Sequence, residues 1–265
     1  MKIISFNVNG IRSVIKKGFF DWLYIQDADI ICIQEIRVKI DRNRIFLPKE
    51  SIYNFKDYFC TYFSAERNGY SGVAIFSRYK PKYVKFGLDY FLCDSEGRYL
   101  QFDYSKFSVA SVYFPSGSSG SYRQEVKYKF LNNFLKFLLS FIKSGREIVF
   151  CGDFNIAHKK IDVRNWRDNQ KKSGFLIEER KWMDKLFRDF NLVDAFRILN
   201  KNRDQYTWWS YRNFKSWIYN IGWRIDYQII TKGLANSVYS VNICKENRWS
   251  DHAPLVIEYN GNWFD

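Results

Sequence analysis

Short runs rich in Ile, Val and Phe recur along this chain, and their recurrence limits what it can fold into. They lie at residues 3–6, 29–33, 72–76, 107–114, 147–151, 225–230 and 254–259. Each is short and bounded by polar or turn-forming residues, the pattern of strands buried in a sheet. Helical patterns separate some of them. Residues 18–26 carry Phe19, Trp22 and Leu23, residues 128–143 carry Phe130, Phe134, Phe137, Leu138 and Phe141, and residues 178–190 carry Trp182, Leu186 and Phe190. Large apolar side chains at this spacing form a stripe that packs onto a core. Strands mixed with helices along the whole length predict an α/β layered fold, with helices covering sheet faces. No linker or low-complexity tract interrupts residues 1–265, and only four prolines occur, so one domain is expected.

Charge narrows the function. The net charge is +14, from 42 Lys and Arg against 28 Asp and Glu. A domain this basic suits a polyanion, whose counterions it displaces. The basic residues are scattered, and no block of them flanks an apolar segment, which argues against a membrane surface. The longest apolar stretch, FLKFLLSFI, is too short to span a bilayer. The N-terminus MKIISFNVNG lacks the features of a signal peptide, and it opens directly on the first strand, so no N-terminal extension is expected. Cys32, Cys60, Cys93, Cys151 and Cys244 are odd in number and show no C-x-x-C pair, which reads as reduced, buried thiols in a cytoplasmic protein.

The informative residues stand where strands end, the place where ligands gather in layered α/β folds. The first strand runs into Phe6-Asn7-Val8-Asn9-Gly10 and the second into Gln34-Glu35. The 107–114 strand ends at Tyr113-Phe114-Pro115-Ser116-Gly117, and the 147–151 strand runs into Gly152-Asp153-Phe154-Asn155. Asp226 lies inside an apolar run, and Asp251-His252 precedes the last strand. SFNVNG and CGDFNIA echo one another as strand-then-Asn turns, one in each half of the chain.

Taken singly, these residues have plain structural readings. Asn7, Asn9 and Asn155 suit turns, Asp153 suits an Asx turn, and Glu35 can simply face solvent. A lone His is often a satisfied core residue, and His158 is read that way. Asp226 is harder to dismiss, because a buried charge needs a partner, and His252 is the natural one. Taken together they meet the needs of phosphodiester cleavage. Glu35 suits a hard cation such as Mg²⁺. Asp153, with Asn155 beside it, can orient or deprotonate water. An Asp226–His252 pair favours an imidazolium beside a phosphate oxygen. Asn7 and Tyr113 can donate to developing charge. The chain has no P-loop, no Ser-His-Asp motif and no zinc spacing.

The ordered set just quoted, with Gly69-Tyr70-Ser71-Gly72-Val73-Ala74, Glu96-Gly97-Arg98, Gly222-Trp223-Arg224-Ile225-Asp226-Tyr227 and Ser250-Asp251-His252-Ala253-Pro254, closely resembles the exonuclease III family of class II apurinic/apyrimidinic endonucleases. The likeness runs from residue 2 to about 259. GDxN and SDH also occur in the wider superfamily with DNase I and inositol polyphosphate 5-phosphatases; the segments 174–184 and 222–227 look specific to the abasic-site branch. The resemblance implies a four-layered α/β sandwich with two central mixed β-sheets flanked by helices. It implies a DNA repair nuclease acting in base excision repair, which cuts 5′ to abasic sites in duplex DNA and trims blocked 3′ ends. It also implies Mg²⁺, with Mn²⁺ as a possible substitute, and a monomer. In that reading Glu35 is the principal metal ligand, with Asp251 and Asn9 at the metal site. Asp153 and Asn155 handle the water, and Asn7 supports the metal and phosphate. His252, oriented by Asp226, contacts the scissile phosphate, and Tyr113 assists the leaving group. Trp208, Trp223 and Ile225 form the pocket for a flipped-out sugar, and Arg67, Asn68, Tyr70 and Arg224 are assigned to the substrate.

The chain departs from the family pattern at two places. The loop Ser116-Gly117-Ser118-Ser119-Gly120 has no basic residue to wedge into DNA, and Asn9 stands where some relatives have an acid, so one tightly held Mg²⁺ is expected. Basic loops fit a duplex: Arg12, Lys16 and Lys17, then Arg164, Arg167, Lys171 and Lys172, then Arg212, Lys215 and Arg224. Two other readings stand beside this one. A phosphatase of small phosphoesters is disfavoured by the charge and the Trp pocket, and a DNA-binding module without catalysis is disfavoured by the full set of reactive residues.

Overall fold

A computed structural model describes residues 1–42 and 44–264. The strands, in chain order, are β1 (Lys2–Asn7), β2 (Ile30–Gln34), β3 (Phe59–Phe63), β4 (Val73–Ser77), β5 (Tyr83–Phe86), β6 (Tyr99–Asp103), β7 (Phe107–Tyr113), β8 (Glu147–Asp153), β9 (Leu192–Asp194), β10 (Asp226–Thr231), β11 (Val238–Ile243) and β12 (Leu255–Tyr259). They form two six-stranded sheets, ordered β11-β12-β1-β2-β4-β3 and β5-β6-β7-β8-β10-β9. Each is mixed, with one central parallel pair, β1 with β2 and β7 with β8, among antiparallel neighbours.

The sheets pack face to face, β1 against β8 and β2 against β7. Side chains alternate across each strand, so each central strand feeds two cores. Ile30 and Cys32 of β2 meet Val149 and Cys151 of β8 between the sheets. Ile31 and Ile33 face outward, onto Ile11, Val14, Phe19 and Leu23 of the helices Ile11–Lys16 and Phe19–Gln26. Ile148 and Phe150 face the other way, onto Phe130, Phe134 and Leu138 of the helix Ser121–Ile142 and onto Trp182 and Leu186 of Ile177–Asp189. Helix, sheet, sheet and helix make the four layers expected. Both faces of the central strands are covered, which is why they read as continuous apolar runs.

The strands not foreseen are mostly edges. β3, β11, β5 and β9 are the outermost strands of the two sheets, and β6 is their one interior companion. Edge strands have an exposed side and mix in polar residues, as in Tyr83-Val84-Lys85-Phe86, so their apolar signal is weak. The 121–142 helix also begins seven residues before the expected 128, because its first two turns, SYRQEVK, are polar in sequence.

Register places the site. Tyr113 of β7, Asp153 of β8 and Asp226 of β10 lie directly opposite one another in adjacent strands. Gly152 allows this closeness, since a Cβ there would stand 1.9 Å from the Val112 carbonyl oxygen.

Candidate active site

The two half-domain echoes form the same turn. Asn9 adopts φ 47° and donates its backbone N–H to Asn7 Oδ1 at 3.0 Å. Asn155 adopts φ 52° and donates its N–H to Asp153 Oδ1 at 2.8 Å. Asn tolerates this left-handed backbone better than most residues. The turns face one another, and Asn7 Nδ2 donates to Asp153 Oδ2 at 2.9 Å and to Glu35 Oε2 at 3.1 Å. One buried amide thus ties an acid of one sheet to an acid of the other. Asn155 Nδ2 also donates to the Phe114 carbonyl at 2.9 Å and to Asp153 Oδ2 at 3.3 Å.

His252 reaches this group from the segment before β12. Its Nδ1 is 2.9 Å from Asp226 Oδ2, and its Nε2 is 3.9 Å from Asp153 Oδ2. The backbone amides of Ile225 and Asp226 both donate to Thr207 Oγ1 at 3.1 Å, and Ala253 N–H donates to the Thr207 carbonyl at 2.8 Å. Thr207 therefore fastens the aspartate and histidine segments together. Burial and the Asp226 charge push the Asp153 carboxyl up to about 7, against the pull of His252, Asn155 and Asn7. Burial presses the His252 imidazole down, but the charge and hydrogen bond of Asp226, with Asp153 and Asp251, hold it up at about 10. Burial and the Glu35 charge raise Tyr113 well above the ordinary phenol range, so it remains a donor.

A second set of oxygens lies beside it. Asp251 accepts from Asn9 Nδ2 at 2.8 Å and from Trp208 Nε1 at 3.1 Å. Burial raises its carboxyl, yet the His252 charge and these two hydrogen bonds leave it below the ordinary range. Asn9 Oδ1 is buried without a partner. Glu35, Asp251 and this free carbonyl oxygen are hard donors, which fits a hard divalent cation. Asp153, Asp226 and His252 also lie close enough to share an ion. His252 Nδ1 and Asp226 Oδ2 are bonded to each other, which takes up one ligand atom of each.

These residues line one cleft of about 580 Å³. Of the sequence-predicted site residues it gathers Asn9, Glu35, Tyr113, Asp153, Asn155, Trp208, Trp223, Ile225, Asp251 and His252. Asn7 and Asp226 are buried directly behind it. Trp208 pairs with both Trp223 and His252 through isolated bridges, so the apolar wall is continuous with the histidine, while the adjacent Trp209 is buried. Arg67 and Tyr70 lie apart, in a neighbouring cleft with Glu96, Ser119 and Arg123, and Asn68 is exposed on the same turn. The 116–120 loop divides the two clefts, with Ser118 on one side and Ser119 on the other.

Arg224 is corrected by the structure. It is 1% exposed, and it donates to Asp162 at 2.8 Å and to Asp194 at 2.7 Å. A buried guanidinium with two carboxylates is a structural clamp and is not presented to a substrate. His158 is structural as expected, with Nε2 2.8 Å from Asp184. Sequence reasoning missed Arg37, which lines the cleft and donates through Nε to Glu35 at 2.9 Å. Its position two residues after the acid was the available signal. Lys172, Ser173 and Gly174, also missed as cleft residues, come from a loop with no chemical motif.

Comparison with known proteins agrees with this geometry. Residues 4–252 match the Endonuclease/Exonuclease/phosphatase family. An exodeoxyribonuclease of Bacillus subtilis is 34% identical over 262 residues, covering 98% of this chain and all of that protein. An AP endonuclease from Archaeoglobus fulgidus superposes with a TM-score of 0.87 at 29% identity, over 98% of this chain and 100% of that one. The Neisseria 3′ phosphatase NExo, bound to a product DNA hairpin, superposes at 0.88 with 26% identity, again over 98% and 100%. The chain belongs to the endonuclease/exonuclease/phosphatase family.

Proposed function

We propose that this family member is a Mg²⁺-dependent DNA repair nuclease that hydrolyses the phosphodiester 5′ to abasic sites in duplex DNA and trims blocked 3′ ends. The observation that carries the reading is the union of the Asp153–His252–Asp226 group with the wall of Trp208, Trp223 and Ile225 in one cleft. A deoxyribose without its base can enter against such a wall, where a full nucleotide would clash. The names of the relatives, an exodeoxyribonuclease, an AP endonuclease and a DNA-bound 3′ phosphatase, support DNA as substrate.

In this reading each residue has a task that its surroundings suit. Asp153, poised at about 7 and fixed by Asn155 and Asn7, accepts the proton of the attacking water. His252, kept cationic by Asp226, donates from Nε2 to a phosphate oxygen. Tyr113, held as a neutral phenol, donates toward the departing oxygen. Asn7 braces Asp153 and Glu35 at once. Glu35, Asp251 and Asn9 would hold the cation, which would supply charge neutralisation at the phosphate when bound; Mg²⁺ is the natural ion for this oxygen set and Mn²⁺ a substitute. Arg67, Asn68 and Tyr70 meet the duplex beyond the cleft. The protein acts as a cytoplasmic monomer.

The competing phosphatase reading predicts a small polyanionic substrate, which has little use for an indole wall. The two are separated by offering a duplex with one abasic site, an intact duplex and an inositol polyphosphate in parallel with Mg²⁺. Selective incision of the first supports the nuclease. Phosphate release from the third with no DNA cleavage would replace it.

A further inference from the structure

Residues 174–184 look specific to the abasic-site branch, yet only Gly174 touches the cleft. The rest of that segment holds Glu179, a carboxylate with no solvent exposure, paired at 2.5 Å with the equally buried Lys127. Bringing two charges inside is costly and is offset only when every remaining bond is made. Two of these bonds run directly to cleft segments, and one closes the first turn of the helix Ile177–Asp189. Lys127 Nζ donates to the Asn155 carbonyl at 2.8 Å, gripping the turn that orients Asp153. Glu179 Oε2 accepts from the backbone amides of Gly174 at 2.7 Å and Leu176 at 3.0 Å. Glu179 Oε1 accepts from Gln124 Nε2 at 3.0 Å. Gln124 in turn lies under Gly117, where a Cβ would stand 1.9 Å from its Oε1 and 2.6 Å from Ser173 Oγ. The pair thus touches the cleft on two sides, Lys127 at the Asn155 turn and Glu179 at the 172–174 loop, while Gln124 packs under Gly117 of the 116–120 loop.

We propose that the Lys127–Glu179 pair positions the reaction machinery, holding the Asn155 turn in register with the cleft wall formed by the 116–120 and 172–174 loops. Neither residue touches substrate. Lys127 acts through Asn155 on Asp153, and Glu179 acts through Gly174 and Gln124 on the wall.

The proposal rests on the nuclease reading, and its test separates the two. Lys127→Met, Glu179→Gln and the double variant are compared with wild type on an abasic-site duplex with Mg²⁺, alongside melting temperatures and amide exchange at Asn155, Gly174 and Leu176. Each single variant is expected to lose about 10- to 100-fold in kcat, the scale of a small misplacement of reacting groups. Lys127→Met should leave KM within about twofold, whereas Glu179→Gln should raise it as the wall loosens. The double variant has no unpaired buried charge, so its melting temperature should recover toward wild type while kcat stays low. Recovery of kcat together with stability would overturn the proposal, as would a folded single variant with wild-type kcat and exchange rates. A wild type that cuts no abasic DNA would instead defeat the nuclease reading. The exchange rates would still decide the positioning role: acceleration at these amides supports it and unchanged rates overturn it.

Discussion

Replacing Asp226 with Asn removes one charge and keeps the shape of the side chain. The amide oxygen can still accept from His252 Nδ1, so the ring stays oriented, but Asp226 is the strongest of the groups that raise the imidazole. A rise from 6.5 to about 10 corresponds to roughly 5 kcal/mol of preference for the cation, at ~1.4 kcal/mol per pH unit. Without Asp226 the value falls, because burial is then opposed by the Asp153 and Asp251 charges alone. A ring returned all the way to its ordinary 6.5 would be about 3% imidazolium at pH 8, so the rate there should fall by up to roughly 30-fold. At pH 6 much more of the ring remains protonated, so the loss should be smaller there. The assay is kcat/KM for an abasic-site duplex from pH 6 to 9.5 in both proteins. The alkaline limb should move toward acid, as an apparent value shared by the coupled group. A variant-to-wild-type ratio that is the same at every pH would refute a charged role for His252.

Three further outcomes are expected. Asp153 is held above its unfolded value, so its folded form favours the proton; that stability is present below about 4 and is lost as pH rises through about 7. Asp153→Asn should therefore abolish incision and lose less stability than wild type as pH rises from 5 to 8 in urea unfolding with EDTA, and an unchanged pH slope would contradict this. Arg224→Met should cost about 3 kcal/mol by leaving Asp194 without an ion-pair partner and Asp162 with Arg197 alone, with DNA affinity of the folded protein unchanged; weakened DNA binding at full stability would restore Arg224 to the substrate surface. Glu35→Gln should shift the Mg²⁺ titration of activity upward by about tenfold or more, and an unmoved titration would remove Glu35 from the metal site.

The sequence revealed the site where chemistry interrupts an apolar pattern. Asn7 and Asp153 end buried strands, and Asp226 begins one, so each stands out against its apolar neighbours. Arg224 misled for the opposite reason. A basic residue next to Trp223 resembles a DNA contact, and nothing local shows that Asp162 and Asp194, distant in the chain, fold onto it. Lys127 and Glu179 were hidden among the ordinary charges of helices, since full burial arises only when the two helices and the 172–174 loop come together. The edge strands escaped because a strand with one open side has no need of a continuous apolar run.

The most direct measurement uses a duplex oligonucleotide carrying one stable abasic analogue, incubated with Mg²⁺ or EDTA, with wild type and His252→Ala side by side. A single Mg²⁺-dependent cut immediately 5′ to the analogue, leaving a 3′-hydroxyl, is expected from wild type. His252→Ala should lose about 10²- to 10⁴-fold in rate while binding the duplex as before. A folded wild type that leaves the strand whole in Mg²⁺, or a His252→Ala protein that cuts at the wild-type rate, would contradict the assignment.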